Sequence, residues 1–284
     1  MSNQSLTIII TNYRTPDKLE KCIRSILDYN LDRFFSFWEI IVTDSATIKQ
    51  EKEKIIQEFP SIIFLESQEN IGYGRCVNRA LKVTNGDDIL IINSDIFINP
   101  GSNFEEMVDF LNINKDIGVV GPRLINVDGS YQYSAFRFYT PMVILARRTF
   151  LGKTKWGQKI KDNFVMKREV DEAIKTGRPI EPDWLMGSAL LFKKEIIGKV
   201  GFFDERFFMY FEDTDWCRRI KQAGYKIVYF PKCQMIHYHI QASRKVGGIM
   251  EVLTNKYTRI HILSWLKYCW KWIPLRGKFD FKIK

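Results

Sequence analysis

Cysteine is scarce in this 284-residue chain, with five residues (Cys22, Cys76, Cys217, Cys233 and Cys269), odd in number, scattered and without a CxxC pair. That excludes a disulfide framework or a structural zinc cluster as the organising device and points to a reducing compartment. Long apolar runs are also missing: none approaches the roughly 18 residues of a membrane-spanning helix. Met1 to Ser5 is polar and leads straight into an apolar stretch, without the paired basic and hydrophobic regions of a signal peptide. The expectation is a cytoplasmic protein, soluble or peripheral on the inner face of the cell membrane. There is no GxxxxGKS/T loop, and Gly72-Tyr73-Gly74 lacks the third glycine of a dinucleotide fingerprint, which argues against ATP hydrolysis and hydride transfer. Internal repeats and low-complexity linkers are absent too.

What is present is ordinary globular material, 45% hydrophobic and 27% charged, with a rich aromatic supply of 21 Phe, 12 Tyr and 7 Trp. The net charge of +10 is unevenly spread. Between Arg244 and Lys284 ten Lys and Arg face only Glu251 and Asp280, so +8 of it lies in the tail. A second basic stretch runs from Arg147 to Arg178. Neither carries a zinc-finger or RNA-binding aromatic signature, so nucleic acid is not the expected partner.

Apolar patterning gives strands at Leu6 to Thr11, Glu39 to Thr43, Ile62 to Leu65 and Asp88 to Ile92. Helices alternate with them: one opened by Thr15 as cap and Pro16 at the first helical position, then 49–59 and 74–83. This alternation predicts an α/β fold with a mainly parallel central sheet flanked by helices. Ligands of such sheets sit outside the carboxyl ends of the strands, here Thr11-Asn12-Tyr13, Asp44, Asn70 with Gly72 and Gly74, and Asp95. After Gly121 the regularity weakens. Order returns with a strand over 184–192, a helix over 193–199, a helix from about Asp213 to Ala223 and a short strand from Lys226 to Phe230. Val246 to Trp272 reads as a long, basic, aromatic amphipathic helix. The expected organisation is a domain over 1–243, with a nucleotide-binding half (1–121) and an acceptor and catalytic half (122–243), followed by a helical tail over 244–284.

Several segments together resemble the GT2 family of glycosyltransferases, and within it the bacterial rhamnosyltransferase branch of surface-polysaccharide synthesis. They are TNYRTPDKLEKCIRSI, ENIGYGRCVNRA, INSDIFINPG, GPRLINVDGSYQYS, DWLMGSALLF and GFFDERFFMYFEDTDWCRRIKQAGYKIVYFP, the last being the most specific. The resemblance covers Leu6 to about Ser243. It implies a GT-A fold and transfer of a sugar, L-rhamnose from dTDP-rhamnose or a hexose or galactofuranose from a UDP-sugar, onto a saccharide or polyprenyl-diphosphate-linked acceptor. It also implies that Thr11, Tyr13 and Asp44 hold the nucleotide, with Asp44 accepting from the base imide. Asn70 and its loop, including Gly74, would flank the donor, and Asp95 would end the family's metal-binding DxD motif. Two positions depart from the pattern. Asn93 stands where the first aspartate belongs, leaving one strong carboxylate. Ser45-Ala46 replaces an Asn-rich loop.

Departure of a nucleoside diphosphate calls for a hard divalent cation, Mn²⁺ or Mg²⁺, on carboxylate oxygen and donor phosphates. Asp95 suits that role, and the resemblance adds His237 as second ligand, with His239 as the neighbouring alternative. The acceptor hydroxyl needs a base, and Asp213 at a helix start is the choice, since the helix N-terminus favours an ionised carboxylate. Glu212 would bind the acceptor, Asp215 would pair with Arg218 or Arg219, and Trp184 with the Gly187-Ser188 turn would form the acceptor side. Arg75 and Arg123 rank below these as diphosphate contacts. One base without a second nucleophile implies direct displacement with inversion. Two other classes stand beside this reading. A sugar nucleotidyltransferase needs a Gly-rich basic phosphate loop that this chain lacks, and a non-catalytic scaffold would not need Asp95, Asp213 and His237. The tail's composition, with Lys256, Arg259, Lys267 and Lys271 among Tyr257, Trp265, Tyr268, Trp270 and Trp272, fits a helix lying on an anionic bilayer or one packed on the domain.

Overall fold

The β-branched run from Leu6 to Ile10 is buried on both sides, and alternate residues serve opposite faces. Ile8 and Ile10 join one core with Leu19, Ile23 and Phe104, whereas Ile9 joins the other with Val77, Trp216 and Phe192. The computed structural model describes residues 4–238 and 255–272. Its elements are β1 (Ser5–Tyr13), α1 (Pro16–Asp28), β2 (Phe37–Ser45), α2 (Lys49–Glu58), β3 (Ile63–Ser67), α3 (Tyr73–Leu81), β4 (Asp88–Asn93), β5 (Ile96–Phe97), α4 (Phe104–Ile113) and β6 (Ile117–Asn126). There follow β7 (Tyr131–Gln132), β8 (Ala135–Phe136), α5 (Pro141–Arg148), α6 (Lys155–Phe164), α7 (Lys167–Thr176), β9 (Trp184–Leu185), β10 (Ala189–Lys193), α8 (Glu195–Val200), α9 (Glu212–Gln222), β11 (Lys226–His237) and α10 (Lys256–Trp272).

The strands form a nine-stranded mixed sheet in the order β3-β2-β1-β4-β10-β6-β11-β5, with β7 added against β6. β3, β2, β1 and β4 are mutually parallel, as expected, and so are β6 and β11. β10 runs antiparallel between β4 and β6. That insertion interlocks the two expected halves: β6 passes through position 121, and β10 from the second half pairs with β4 from the first.

Three expectations are corrected, and one stretch left unassigned is filled. The apolar run over 184–192 is two strands in different sheets, because it breaks at Met186-Gly187-Ser188; β9 pairs with β8 and β10 with β4. The short strand at Lys226 continues to His237, with a register shift between Phe230 and Gln234 that lets Pro231 interrupt the ladder without ending it. The stretch over 141–176, unassigned from sequence, is a helical excursion of α5, α6 and α7. Thr15 makes no capping bond, because its hydroxyl donates instead to Asn12 Oδ1 at 2.7 Å. All five cysteines are free.

Only the second part of the expected tail helix, α10, falls within the described residues, and among those residues no helix is long and apolar enough to cross a membrane. One face of α10 packs on the domain through Tyr268, which meets Phe207 and Phe211. Lys271 Nζ reaches Asp215 at 2.7 Å and Asp204 at 2.8 Å, and Trp272 Nε1 donates to Asp215 at 2.8 Å. The packed reading therefore holds for this face, while Leu263, Leu266 and Trp270 stay exposed.

Candidate active site

Parallel pairing brings the carboxyl ends of β1, β2, β3 and β4 to one edge, in register Asn12 beside Asp44 and Thr11 beside Asn93. Asn12 Nδ2 donates to Asp44 Oδ1 at 2.7 Å, and Thr47 Oγ1 donates to the same oxygen at 2.6 Å. Asp44 is buried, so its carboxylate anchors the β1 and β2 loops through these two side chains. Any contact to a base must share it with them. Thr11 Oγ1 donates to Asn93 Oδ1 at 3.0 Å, which orients the amide that replaces the expected aspartate. Tyr13 lies 39% exposed at the rim with the Arg14 guanidinium over its ring.

The loop before α3 is built by backbone. Asn70 Oδ1 accepts from Gly72 N at 3.0 Å, and Tyr73 N donates to Phe208 O at 3.1 Å. Gly72 has φ +89°, and a Cβ there would sit 2.3 Å from Phe208 O, so only glycine fits. Buried Gly74 lies beneath this loop against Phe203 and Glu212. Arg75 is an exposed residue 3.6 Å from Glu205, a surface pair.

Asp95 follows β4 and His237 ends β11, and the antiparallel pairing of β5 with β11 joins them: His237 Nε2 lies 3.3 Å from Asp95 Oδ1. On the far side of the ring Nδ1 faces Gln132 Oε1 at 2.5 Å. Since an amide oxygen only accepts, Nδ1 carries the proton and Nε2 is turned to the carboxylate, the orientation a second-shell partner imposes on a metal-ligating histidine. Lys18 Nζ approaches the other oxygen of Asp95 at 3.6 Å. A buried imidazole nitrogen beside a carboxylate oxygen is a donor set that fits a hard or borderline divalent cation. Among the described residues these are two such ligands, and no group of three or more His, Cys, Asp or Glu converges there. His239 lies outside the described residues.

The Met186-Gly187-Ser188 break between β9 and β10 is the hinge of the site. Ser188 O accepts from Asn93 N at 3.1 Å, and Gly187 N donates to Asp213 Oδ2 at 3.0 Å. A Cβ on Gly187 would meet Asp213 Cβ at 3.3 Å and the Tyr73 hydroxyl at 3.4 Å, so a side chain would crowd the carboxylate. Asp213 Oδ1 in turn accepts from Thr214 N at 2.7 Å and from Thr214 Oγ1 at 3.3 Å. Phe211, ahead of α9, is held in the left-handed region at φ 71°, a strained turn that brings both acids onto the first helical turn.

Burial pushes the Asp213 carboxyl above its usual range, and the Gly187 and Thr214 donors pull the other way. Glu212 is pushed up further, by burial and then by the charge of Asp213. Its Oε2 is buried without a hydrogen-bond partner among the described residues. Three donors favour negative charge on Asp213, whereas burial and the neighbouring Asp213 charge favour the neutral form of Glu212. Ser188 Oγ, next to Gly187, is likewise buried with no hydrogen-bond partner among the described residues.

Comparison with known proteins now bears on this edge. The profile of glycosyl transferase family 2 matches residues 7–175, and that of glycosyl transferase family group 2 matches residues 139–279. The chain belongs to glycosyl transferase family 2. The N-acetylglucosaminyl-diphospho-decaprenol L-rhamnosyltransferase of Mycobacterium tuberculosis H37Rv is 26% identical over 286 residues, 95% of this chain and 88% of that protein. Rhamnosyltransferase WbbL of Escherichia coli K12 is 34% identical over 86 residues, 30% of each chain. Among solved structures, GalNAc-T7 with UDP, GalNAc and Mn²⁺ matches with a TM-score of 0.60 at 14% identity, over 83% of this chain and 44% of that one. That likeness is one of fold, the GT-A type.

Within this glycosyltransferase the structure brings together Thr11, Asp44, Asp95, His237, Gly187, Glu212 and Asp213, but not Trp184. The Trp184 ring is 6% exposed, stacks on Phe136 at 4.3 Å and donates from Nε1 to Arg137 O. It supports the Gly187 turn from the core and offers no platform for a sugar. Asp215, wholly buried, pairs with Arg219 at 3.0 Å as expected, and with Lys271. Sequence reading passed over Thr47, gave Asn12 only as a strand-end residue, and assigned no role to Lys18 and Gln132, although they stand in the first and fourth quoted motifs. Nothing near Gln132 in sequence names its partner, since only the pairing of β7 with β6 brings it to His237.

Proposed function

We propose that this glycosyltransferase moves L-rhamnose from dTDP-rhamnose, with inversion, onto a hydroxyl of a lipid-linked saccharide in cell-surface polysaccharide synthesis. The carrying observation is the Gly187-Ser188 turn, bonded on one side to Asn93, two residues before Asp95, and on the other to Asp213. It couples a donor-phosphate end to a base within one loop. Asp213 takes the proton of the acceptor hydroxyl. That oxygen bonds to the anomeric carbon as the bond to the diphosphate oxygen breaks, its electron pair leaving with the nucleoside diphosphate. Asp95 and His237 would hold a divalent ion, which would supply charge neutralisation for that leaving group. Glu212, protonated, donates to a sugar oxygen. Thr11, Tyr13, Asn70 and the Asp44 network line the nucleotide side.

The rhamnosyl donor and the polyprenyl-diphosphate acceptor rest on the names of the relatives, of which the mycobacterial enzyme covers nearly this whole chain. Contact with the inner face of the membrane through the tail is supported by the outward residues of α10, where Leu263, Leu266 and Trp270 lie among Lys256, Arg259 and Lys267. The test is nucleotide release from a panel of dTDP- and UDP-sugars with a polyprenyl-diphosphate-linked acceptor, with and without chelator. Release from dTDP-rhamnose alone, abolished by chelator, is expected. Turnover with UDP-hexose or UDP-galactofuranose instead reassigns the donor, full activity in excess chelator removes the metal, and no turnover with any donor leaves a scaffold.

A further inference from the structure

The excursion between β8 and α7 is used by nothing in the mechanism above. Across α5 and α6, from Pro141 to Phe164, the chain carries six Lys and Arg against a single acid, Asp162. A soluble helix pair ordinarily mixes both signs and hides its large apolar groups. Here Phe150, at the turn between α5 and α6, is 76% exposed, and Trp156, Met142 and Leu145 are 48%, 43% and 38% exposed. Met142 and Trp156 open onto one groove of about 430 Å³ with Phe138, Ile160 and Phe164, and Lys159 stands on its rim. Lys159 also lines a neighbouring hollow with Lys153 and Lys155, three cations against the one carboxylate of Asp162. Among the described residues none of these three lysines makes an ion pair, although all three line the same hollow.

The place of this surface matters as much as its make-up. Tyr139, just ahead of α5, packs on Phe211 at 4.8 Å, and Phe211 packs on Tyr268 of α10 at 5.3 Å. The Arg218 guanidinium lies over Phe138 on one side and over Trp272 on the other. The two basic, aromatic stretches that are a hundred residues apart in sequence are therefore neighbours across the turn that carries Glu212 and Asp213.

We propose that the α5–α6 hairpin is a seat for an anionic bilayer surface, with Phe150 and Trp156 entering the headgroup region and Lys153, Lys155 and Lys159 facing acidic lipid. Exposed aromatics supply the apolar contact, and clustered ammonium groups supply an attraction that falls off within a Debye length. Beside Phe211, the seat holds the acceptor loop at the height of a sugar carried on a lipid diphosphate. The inference rests on the lipid-linked acceptor of the proposed function, and its test reads binding separately from turnover.

The experiment uses the full chain and vesicles of phosphatidylcholine, with or without an equal part of phosphatidylglycerol. Sedimentation at low salt should show binding to the anionic vesicles that neutral vesicles and high salt abolish. Lys153→Gln/Lys155→Gln/Lys159→Gln should weaken it about a hundredfold, and Phe150→Asp/Trp156→Asp should weaken it comparably. Both sets should leave melting temperature, nucleotide-sugar affinity and turnover on a water-soluble acceptor unchanged. The lysine set alters only exposed groups, so it remains informative if the aromatic pair fails to fold. Unchanged vesicle binding in the folded lysine variant overturns the proposal. So does loss of binding only on Leu263→Asp/Trp270→Asp, which would assign the membrane to α10 alone. A wild-type protein that binds anionic vesicles but turns over no sugar would refute the transferase reading and leave the seat standing.

Discussion

Replacing the base is the sharpest test of the site, and the geometry sets what Asp213→Asn should do. The carboxylate receives one N–H on Oδ2 and two donors on Oδ1. An amide can turn only one oxygen to them, and the cheaper orientation keeps both Thr214 bonds and sets an NH₂ against Gly187 N–H. An unmet buried donor costs about 1–3 kcal/mol. Against this, the amide removes a charge that burial disfavours, as the raised Asp213 carboxyl attests. Two opposed effects of similar size should leave the melting temperature within about 5 °C of wild type. Loss of the base has no such offset, so turnover should fall roughly 10²–10⁴-fold, a barrier increase of about 3–5 kcal/mol. Nucleotide release at saturating donor and acceptor measures this, with donor affinity from calorimetry and unfolding followed on the same sample. Turnover within tenfold of wild type would refute the assignment, as would a donor affinity that falls in step with it.

Glu212→Gln tests the protonated partner. Because the folded Glu212 carboxyl is raised above its ordinary 4.5, its contribution to stability is complete below that value and is lost as pH rises through the folded pKa. The melting-temperature advantage of the variant should therefore grow from acid to alkaline pH, and a flat difference would show that Glu212 is ionised in the fold. Lys18→Met removes an ammonium 3.6 Å from Asp95 and should tighten Mn²⁺ binding, read by electron paramagnetic resonance, by about three- to tenfold; weaker binding would mean that Lys18 helps to hold the ion's anionic partner. Lys271→Met deprives buried Asp215 of one of its three partners and Asp204 of another, at a cost of about 2–3 kcal/mol. The melting temperature should drop by about 5–10 °C, and a drop under about 2 °C would mean that α10 contributes little to holding the α9 turn.

The first four strands and three helices were readable because their signals are local: β-branched runs of strand length, alternating with an amphipathic period, with polar residues at each strand end. Asp44, Asp95 and Asp213 were readable for the same reason, as acids at the ends of such elements. His237 came from the family pattern, since nothing near it in sequence names its partner. What stayed hidden depended on distant pieces meeting. Gln132 orients His237 only because β7 folds back on β6, and Trp184 is core only because the chain places Phe136 and Tyr139 against it. Apolar periodicity marks a buried face without saying what covers it, so an aromatic at a strand start reads alike as sugar platform or packing. The same limit applies to charge. Composition alone marked two basic stretches, over 147–178 and in the tail, and determined that neither carries a nucleic-acid motif. That α10 spends Lys271 and Trp272 on a buried aspartate, while the α5–α6 lysines stand beside exposed aromatics, was decided by tertiary contacts, because a side chain's work is set by the groups that surround it in space.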